Sequence, residues 1–248
     1  MIEALPNIRI VLVEPTHPGN IGAAARAMKT MGLRRLYLVN PARFPCAEAT
    51  AMASGADDLL VNARVCHDLA EALAGCGRVV GTTARPRRIP WPVLAPGAAA
   101  ADIVECASRA VEVAVLFGRE HAGLDNDEVE SCQAMIQVPT DTDFSSLNLA
   151  AAVQLIAYEI RMAALSAGDT LAMKPSVDAA PPATVDEMER MYAHFESTLI
   201  EVGFLDPEKP GKLMRRLRRL FNRARIDQSE VNILRGFLTA IQGQIRRP

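Results

Sequence analysis

Neither a metal site nor a disulfide framework can be assembled from this sequence by spacing. The five cysteines, Cys46, Cys66, Cys76, Cys106 and Cys132, are odd in number, widely separated and free of any C-x-x-C pair. They read as reduced packing residues. The four histidines, His17, His67, His121 and His194, show no ligand spacing, so no metal is expected. No stretch approaches the roughly 20 uninterrupted apolar residues of a membrane span. The opening MIEALPNIRIVLVEP lacks a basic n-region and a small-residue cleavage site. A cytoplasmic protein without membrane attachment is the expectation. Internal repeats and low-complexity segments are also missing. Gly75-Cys76-Gly77 precedes a strand instead of following one, the wrong context for a dinucleotide loop, so a nicotinamide-dependent oxidoreductase is disfavoured.

What is present is a chain of 248 residues, 50% hydrophobic, long enough to bury a sizeable core. Its net charge of −2 hides a polarity: −4 over residues 1–165, −7 over 166–208 and +9 over 209–248. A positive tail on an acidic body points to a polyanionic partner.

Short β-branched runs at 8–14, 35–40, 78–83, 113–118 and 135–138, with a weaker one at 64–66, suit strands buried on both faces. Helical patterns alternate with them at about 20–32, 47–54, 67–75, 98–108, 125–132 and 147–166, predicting an α/β domain with a parallel sheet over residues 1–166. Residues 167–184, rich in Ala, Pro and small polar residues, read as a linker. Residues 185–248 read as a small all-α domain, with helices near 184–203, 209–224 and 227–243. In the middle one, Leu213, Leu217, Leu220 and Phe221 share a face and arginines fill much of the rest.

Three segments carry chemistry. EPTHPGNIGAAARAMKTMG (14–32) runs from the first strand through a Pro/Gly turn into a helix, with Asn20 near the N-cap. Gly22, Arg26 and Lys29 or Thr30 then project along one face, while Ala24, Ala25 and Met28 pack inward. Taken alone, its G-N-I-G also fits a KH-type loop, a degenerate phosphate loop or a plain helix start. VLFGREHAGLDNDEVESC (115–132) places Gly118, Glu120 and Gly123 after a buried strand, where ligands meet parallel sheets. Asp125 and Glu128 form a D-x-x-E capping box there; a tight turn with a solvated Glu120 is the plainer alternative. In VPTDTDFSSLNLAAAVQLIAYEI (138–160), Ser145-Ser146-Leu147-Asn148 opens a long helix, as caps or as a ligand site at a helix N-terminus.

In this order and spacing the three segments resemble motifs 1, 2 and 3 of the TrmH-like branch of the SPOUT methyltransferases. The resemblance spans nearly all 248 residues, including RVVGTTARPRRIPWP at 78–92 and the C-terminal extension. It implies a deep trefoil knot in the C-terminal part of the α/β domain, which composition and periodicity do not reveal. It implies S-adenosylmethionine as cofactor, bent in that knot against Thr82, Thr83, Ala84, Gly118, Val138 (through its main chain), Ser145, Ser146 and Leu147. It further implies a homodimer whose sites combine residues of both chains, and 2′-O-methylation of a pyrimidine ribose at nucleotide 32 of the tRNA anticodon loop. Arg26 matches the residue proposed to activate the 2′-hydroxyl, and Asn20, Glu120, Ser146 and Asn148 match the other polar motif positions.

Methyl transfer from a sulfonium needs no metal, only alignment of the 2′-oxygen and help in removing its proton. A guanidinium is a poor base, so Arg26 is expected to stabilise the developing alkoxide and an adjacent phosphate. Arg85, Arg87 and Arg88 are candidates to clamp the RNA backbone, a solvated loop being the alternative. Lys209, Lys212, Arg215, Arg216, Arg218, Arg219, Arg223, Arg225, Arg246 and Arg247 form a basic cluster expected to dock the tRNA body. A rival reading makes 209–243 a helix-turn-helix of a regulator whose α/β domain senses a small ligand.

Overall fold

The computed structural model describes residues 4–84, 91–170 and 181–245, and the chain packs as two units, Met1–Pro175 and Ser176–Pro248. The first is built on strands β1 (Ile8–Val13), β2 (Arg35–Val39), β3 (Arg64–Cys66), β4 (Arg78–Thr82), β5 (Val93–Leu94), β6 (Val113–Phe117) and β7 (Ala134–Ile136), in the order β3-β2-β1-β6-β4-β7-β5. Its pairings are all parallel. The strand sequences are nearly continuous in apolar residues because the central strands are covered on both faces: every residue of β1 and β6 is buried. Arg9 is tolerated within β1 because its guanidinium bonds Glu112 and the carbonyl oxygens of Ala72 and Ala74.

The expected strands form, the weak candidate at 64–66 included. β5 escapes the sequence pattern because two residues carry no period; the main chain holds it, with Met135 N donating to Pro92 O at 2.8 Å and Gln137 N to Leu94 O at 3.1 Å. Helices α1 (Pro18–Met31), α2 (Ala47–Ala53), α3 (Asp57–Val61), α4 (Leu69–Leu73), α5 (Pro96–Ser108), α6 (Asn126–Glu130) and α7 (Leu149–Thr170) fill the connections. The five-residue α3 has no counterpart in the sequence reading.

α7 packs against α1 and α5, burying Val153, Ile156, Ala157, Ile160 and Ala164 in the core. Its outer side stays apolar along Ala151, Leu155, Tyr158, Met162 and Leu165, a stripe in which Tyr158, Met162 and Leu165 are exposed. With two apolar sides, Leu149–Ala167 is long and apolar enough by length and composition to cross a membrane. The sequence reading excludes any such stretch; a third of that window is buried inside the protein instead.

One detail of α1 corrects the sequence reading. The N-cap is His17, with Pro18 opening the helix, so Asn20 sits within the first turn. Gly22 lets the backbone of α2 approach closely: a Cβ there would lie 2.0 Å from the Ala49 carbonyl oxygen.

The second unit comprises α8 (Val185–Glu201), α9 (Leu213–Ala224) and α10 (Gln228–Ile245). Thr184 and Glu187 form a capping box at the start of α8. Met188, Met191, Tyr192 and Val231 make the core, joined by Phe195, Met214, Phe221 and Leu234. Leu220, assigned by the pattern to the core face, is 46% exposed; the inward face is turned toward Met214 and Phe221, seven residues apart.

Candidate active site

The carboxyl ends of β4, β6 and β7 and the start of α7 enclose a cleft of about 350 Å³. It lies beside the point where the strand order reverses, between β1 and β6, the usual place for a ligand in an open parallel sheet. Its wall holds Thr82, Thr83 and Ala84 after β4, Gly118 after β6, Val138 after β7, and Ser145, Ser146 and Leu147 before α7. The eight residues assigned to the cofactor by resemblance thus come together. Phe117, Ile136, Leu149 and Ile156 add an apolar floor to which the sequence reading assigns no role. Gly118 is required for a reason other than ligand approach: a Cβ would lie 2.1 Å from the Gly123 carbonyl carbon and 2.2 Å from Leu124 N. The turn folds back onto the strand end, with Gly123 at φ 69°.

At the cleft mouth one hydrogen-bonded chain joins the three motifs. The main-chain N–H groups of Ala150 and Ala151 donate to Asn148 Oδ1 at 3.0 and 3.3 Å, capping α7. Asn148 Nδ2 donates to Asn20 Oδ1 at 3.0 Å, and Asn20 Nδ2 donates to Glu120 Oε1 at 3.0 Å. Glu120 also accepts from Thr16 N, Thr16 Oγ1 and His17 N at 2.9–3.2 Å. An ionised carboxylate only accepts, so Asn20 must turn its NH₂ to Glu120 and its oxygen to Asn148. Burial by itself would raise the Glu120 carboxyl; the donors from Asn20 and Thr16 outweigh it and hold the group down at about 2. Glu120 is therefore an anchored anion at the α1 N-terminus, not a solvated side chain.

Arg119 also lines the cleft, a position to which the sequence reading assigns no role. It donates to Glu14 Oε2 at 2.7 Å and, as a fork, to both Glu128 oxygens at 3.0 and 2.9 Å. Glu128 simultaneously closes the expected capping box with Asp125. These bonds raise the Arg119 guanidinium above its ordinary range, and the bond from Arg119 lowers the Glu14 carboxyl. The turn between β6 and α6 is thereby fixed to the end of β1. A charged residue soon after each of two buried strands, Glu14 directly after β1 and Arg119 two residues after β6, was the available signal. His17 and His121 meet edge to face across the same mouth, with ring centroids 6.1 Å apart.

Other assigned residues lie elsewhere. Arg26 is exposed on α1 and outside the cleft wall, and no side-chain ion pair holds it among the described residues. Lys29 is tied to Gly55 O and Asp58. Arg85, Arg87 and Arg88 fall outside the described residues, as do Arg246, Arg247 and residues 171–180 of the linker. On α9, Lys212, Arg216, Arg219 and Arg223 follow at helical spacing, with Lys212, Arg216 and Arg223 exposed. Arg215 and Arg219 are half-buried, and Arg225 is exposed at φ 53° just past the helix. Arg218 is directed to the interior of its unit: it pairs as a fork with Glu189 and lies over the Tyr192 ring, 4.4 Å from its centroid.

A parallel sheet with the second and third motifs lining one cleft at its carboxyl edge, and the first bonded to its mouth, is the arrangement of a SPOUT-class methyltransferase. The SpoU rRNA methylase family matches residues 7–158, and the C-terminal domain of tRNA methyltransferase TrmJ matches residues 186–248. The chain is 54% identical over 243 residues to the tRNA (cytidine/uridine/adenosine-2′-O-)-methyltransferase TrmJ of Pseudomonas aeruginosa, covering 96% of this chain and 95% of that one. It superposes on the crystal structure of TrmJ from Z. mobilis ZM4 with a TM-score of 0.81 and 39% identity, over 94% of this chain and 98% of that one. The SpoU methyltransferase AviRb from Streptomyces viridochromogenes, solved in complex with the cofactor AdoMet, shares the fold: TM-score 0.52, 22% identity, 64% of this chain and 60% of that one. The chain belongs to the SpoU methylase family and, within it, to the TrmJ methyltransferases.

Proposed function

We propose that this chain transfers a methyl group from S-adenosylmethionine to the ribose 2′-oxygen of a pyrimidine at nucleotide 32 in the tRNA anticodon loop. The observation that carries the proposal is the chain Asn148–Asn20–Glu120, which ties three distant motifs to the mouth of one cleft. The cleft suits the cofactor: an apolar floor for a planar base, main-chain groups and serine hydroxyls for an adenosine and a methionyl tail, and a volume within the usual range for such ligands. When bound there, it supplies a methyl group already activated on a sulfonium. Thr82, Thr83, Ala84, Gly118, Val138, Ser145, Ser146 and Leu147 hold it. Asn20, Glu120 and Asn148 set the entry of α1 relative to α7, and Ser146 borders the ribose.

Arg26 stabilises the alkoxide that develops as the 2′-proton leaves. Since it stands outside its own cleft wall, it acts on a second copy of the chain in a homodimer, for which the outer stripe of α7 offers an apolar face. Residues 1–166 form the catalytic domain, with the trefoil knot of its class. Residues 185–248, beyond a linker over 167–184, dock the tRNA body through Lys212, Arg215, Arg216, Arg219, Arg223 and Arg225, aided by Arg85, Arg87 and Arg88. The enzyme acts in the cytoplasm.

Incubation with unmodified tRNA transcript and radiolabelled S-adenosylmethionine, followed by digestion and position mapping, should yield a 2′-O-methylated pyrimidine at nucleotide 32. Label at another nucleotide overturns the site, and no label overturns the activity.

A further inference from the structure

Phe144 is 80% exposed, the most exposed aromatic side chain among the described residues. It directly precedes Ser145, Ser146 and Leu147 of the cleft wall, and consecutive Cα atoms lie only about 3.8 Å apart, so it stands on the rim. Its loop is closed from within: Asp143 N donates to Asp141 Oδ1 at 2.8 Å and Thr140 Oγ1 donates to Ser145 O at 3.4 Å. A closed turn that leaves a phenyl ring in water has nothing of its own to gain from it. The neighbouring Asp141 and Asp143 are exposed and repel phosphate, so the RNA backbone does not run over this rim. What remains is a flat, uncharged partner.

A nucleobase and its 2′-hydroxyl share one ribose, so delivering the 2′-oxygen to the cleft leaves the base projecting past the rim. We infer that Phe144 is the platform on which an unpaired base of the substrate loop stacks. This rests on the proposed ribose methylation and adds a residue that positions the nucleotide. Stacking on an exposed aromatic is how proteins take hold of single-stranded RNA.

The test compares Phe144→Ala, Phe144→Leu and Phe144→Tyr on full-length tRNA, with a tRNA anticodon stem-loop carrying 2-aminopurine beside the target as a stacking probe. Phe144→Ala should raise KM for tRNA about 10- to 100-fold with a smaller change in kcat. Tyrosine should restore KM and leucine should not, and probe fluorescence should be quenched by the wild type but not by Phe144→Ala. Affinity for S-adenosylmethionine and oligomeric state should not move. An unchanged KM, rescue by leucine, weakened cofactor binding or an altered oligomer each overturns the stacking role. A wild-type chain that methylates no tRNA overturns the parent reading and this one with it, whereas activity undiminished by Phe144→Ala overturns this one alone.

Discussion

The cleft and the basic helix handle charge in opposite ways. At the cleft mouth Glu120 and Arg119 meet their partners inside the unit: Glu120 takes four donors, and Arg119 sits between Glu14 and Glu128. On α9, Lys212, Arg216 and Arg223 are exposed and have no ion-pair partner among the described residues. The first arrangement fixes geometry and is little affected by salt, because its pairs are short and partly buried. The second leaves a field for a polyanion and is screened by salt. Substitutions in the two regions should therefore differ in kind.

Arg26 is an exposed cation of the first unit with no ion-pair partner among the described residues, and its loss should have the largest effect. Arg26→Ala should lower methyl transfer about 10³-fold, as for loss of a group that stabilises transition-state charge, with cofactor affinity unchanged by calorimetry. If it serves a second subunit, mixing Arg26→Ala with Asn148→Ala chains should recover about a quarter of wild-type activity, the share of sites that random pairing makes whole. Recovery of nothing would put Arg26 to work within its own chain.

Glu120→Gln keeps the shape but replaces an acceptor-only group by one with its own donors, which then face Thr16 and Asn20. The relay loses its fixed orientation, and kcat should fall about 10²-fold, the scale of a small misplacement at a reacting centre. A pH series sharpens the assignment. The folded carboxyl titrates at about 2, below its ordinary value of roughly 4.3. Its contribution to stability is thus complete above the unfolded value and is lost as pH falls through the folded one. Wild-type stability should decline between those limits, and Glu120→Gln should flatten that decline; equal slopes would mean that the anchored anion contributes nothing.

The parts legible in the sequence are those with a local cause. Nearly continuous apolar runs announced β1, β2, β4, β6 and β7, and the D-x-x-E spacing announced the α6 cap, because both depend on residues close in the chain. Which residues share a cleft was implied by the family resemblance that the motifs carry, not by any local pattern. What stayed hidden depends on distant contacts. Gly22 and Gly118 are glycines because Ala49 O and the 123–124 turn occupy the space of a Cβ, and only the packed chain shows what stands there. Arg119 was unremarkable until the fold brought Glu14, 105 residues earlier, within 2.7 Å. Leu220 and Phe221 lie about 100° apart, at opposite edges of the apolar stripe, so periodicity could not say which edge turns inward.

The smallest effects decide whether the contrast holds residue by residue along one helix. Replacing Lys212, Arg216 and Arg223 together by alanine should weaken tRNA binding about 10- to 100-fold at low salt and reduce the slope of log K against log salt by roughly 2 to 3, the release of counterions from as many phosphates. Arg218 carries the same charge on the same helix, yet its guanidinium is engaged by Glu189 and Tyr192. A partly exposed ion pair is worth about 0–1 kcal/mol and a cation–π contact about 0.5–1 kcal/mol. Arg218→Ala should therefore destabilise the helical unit by about 0.5–2 kcal/mol in urea unfolding, while the salt slope for tRNA stays that of the wild type. A slope reduced by about one would show that Arg218 leaves Glu189 to meet a phosphate, and that this cation belongs with its exposed neighbours after all.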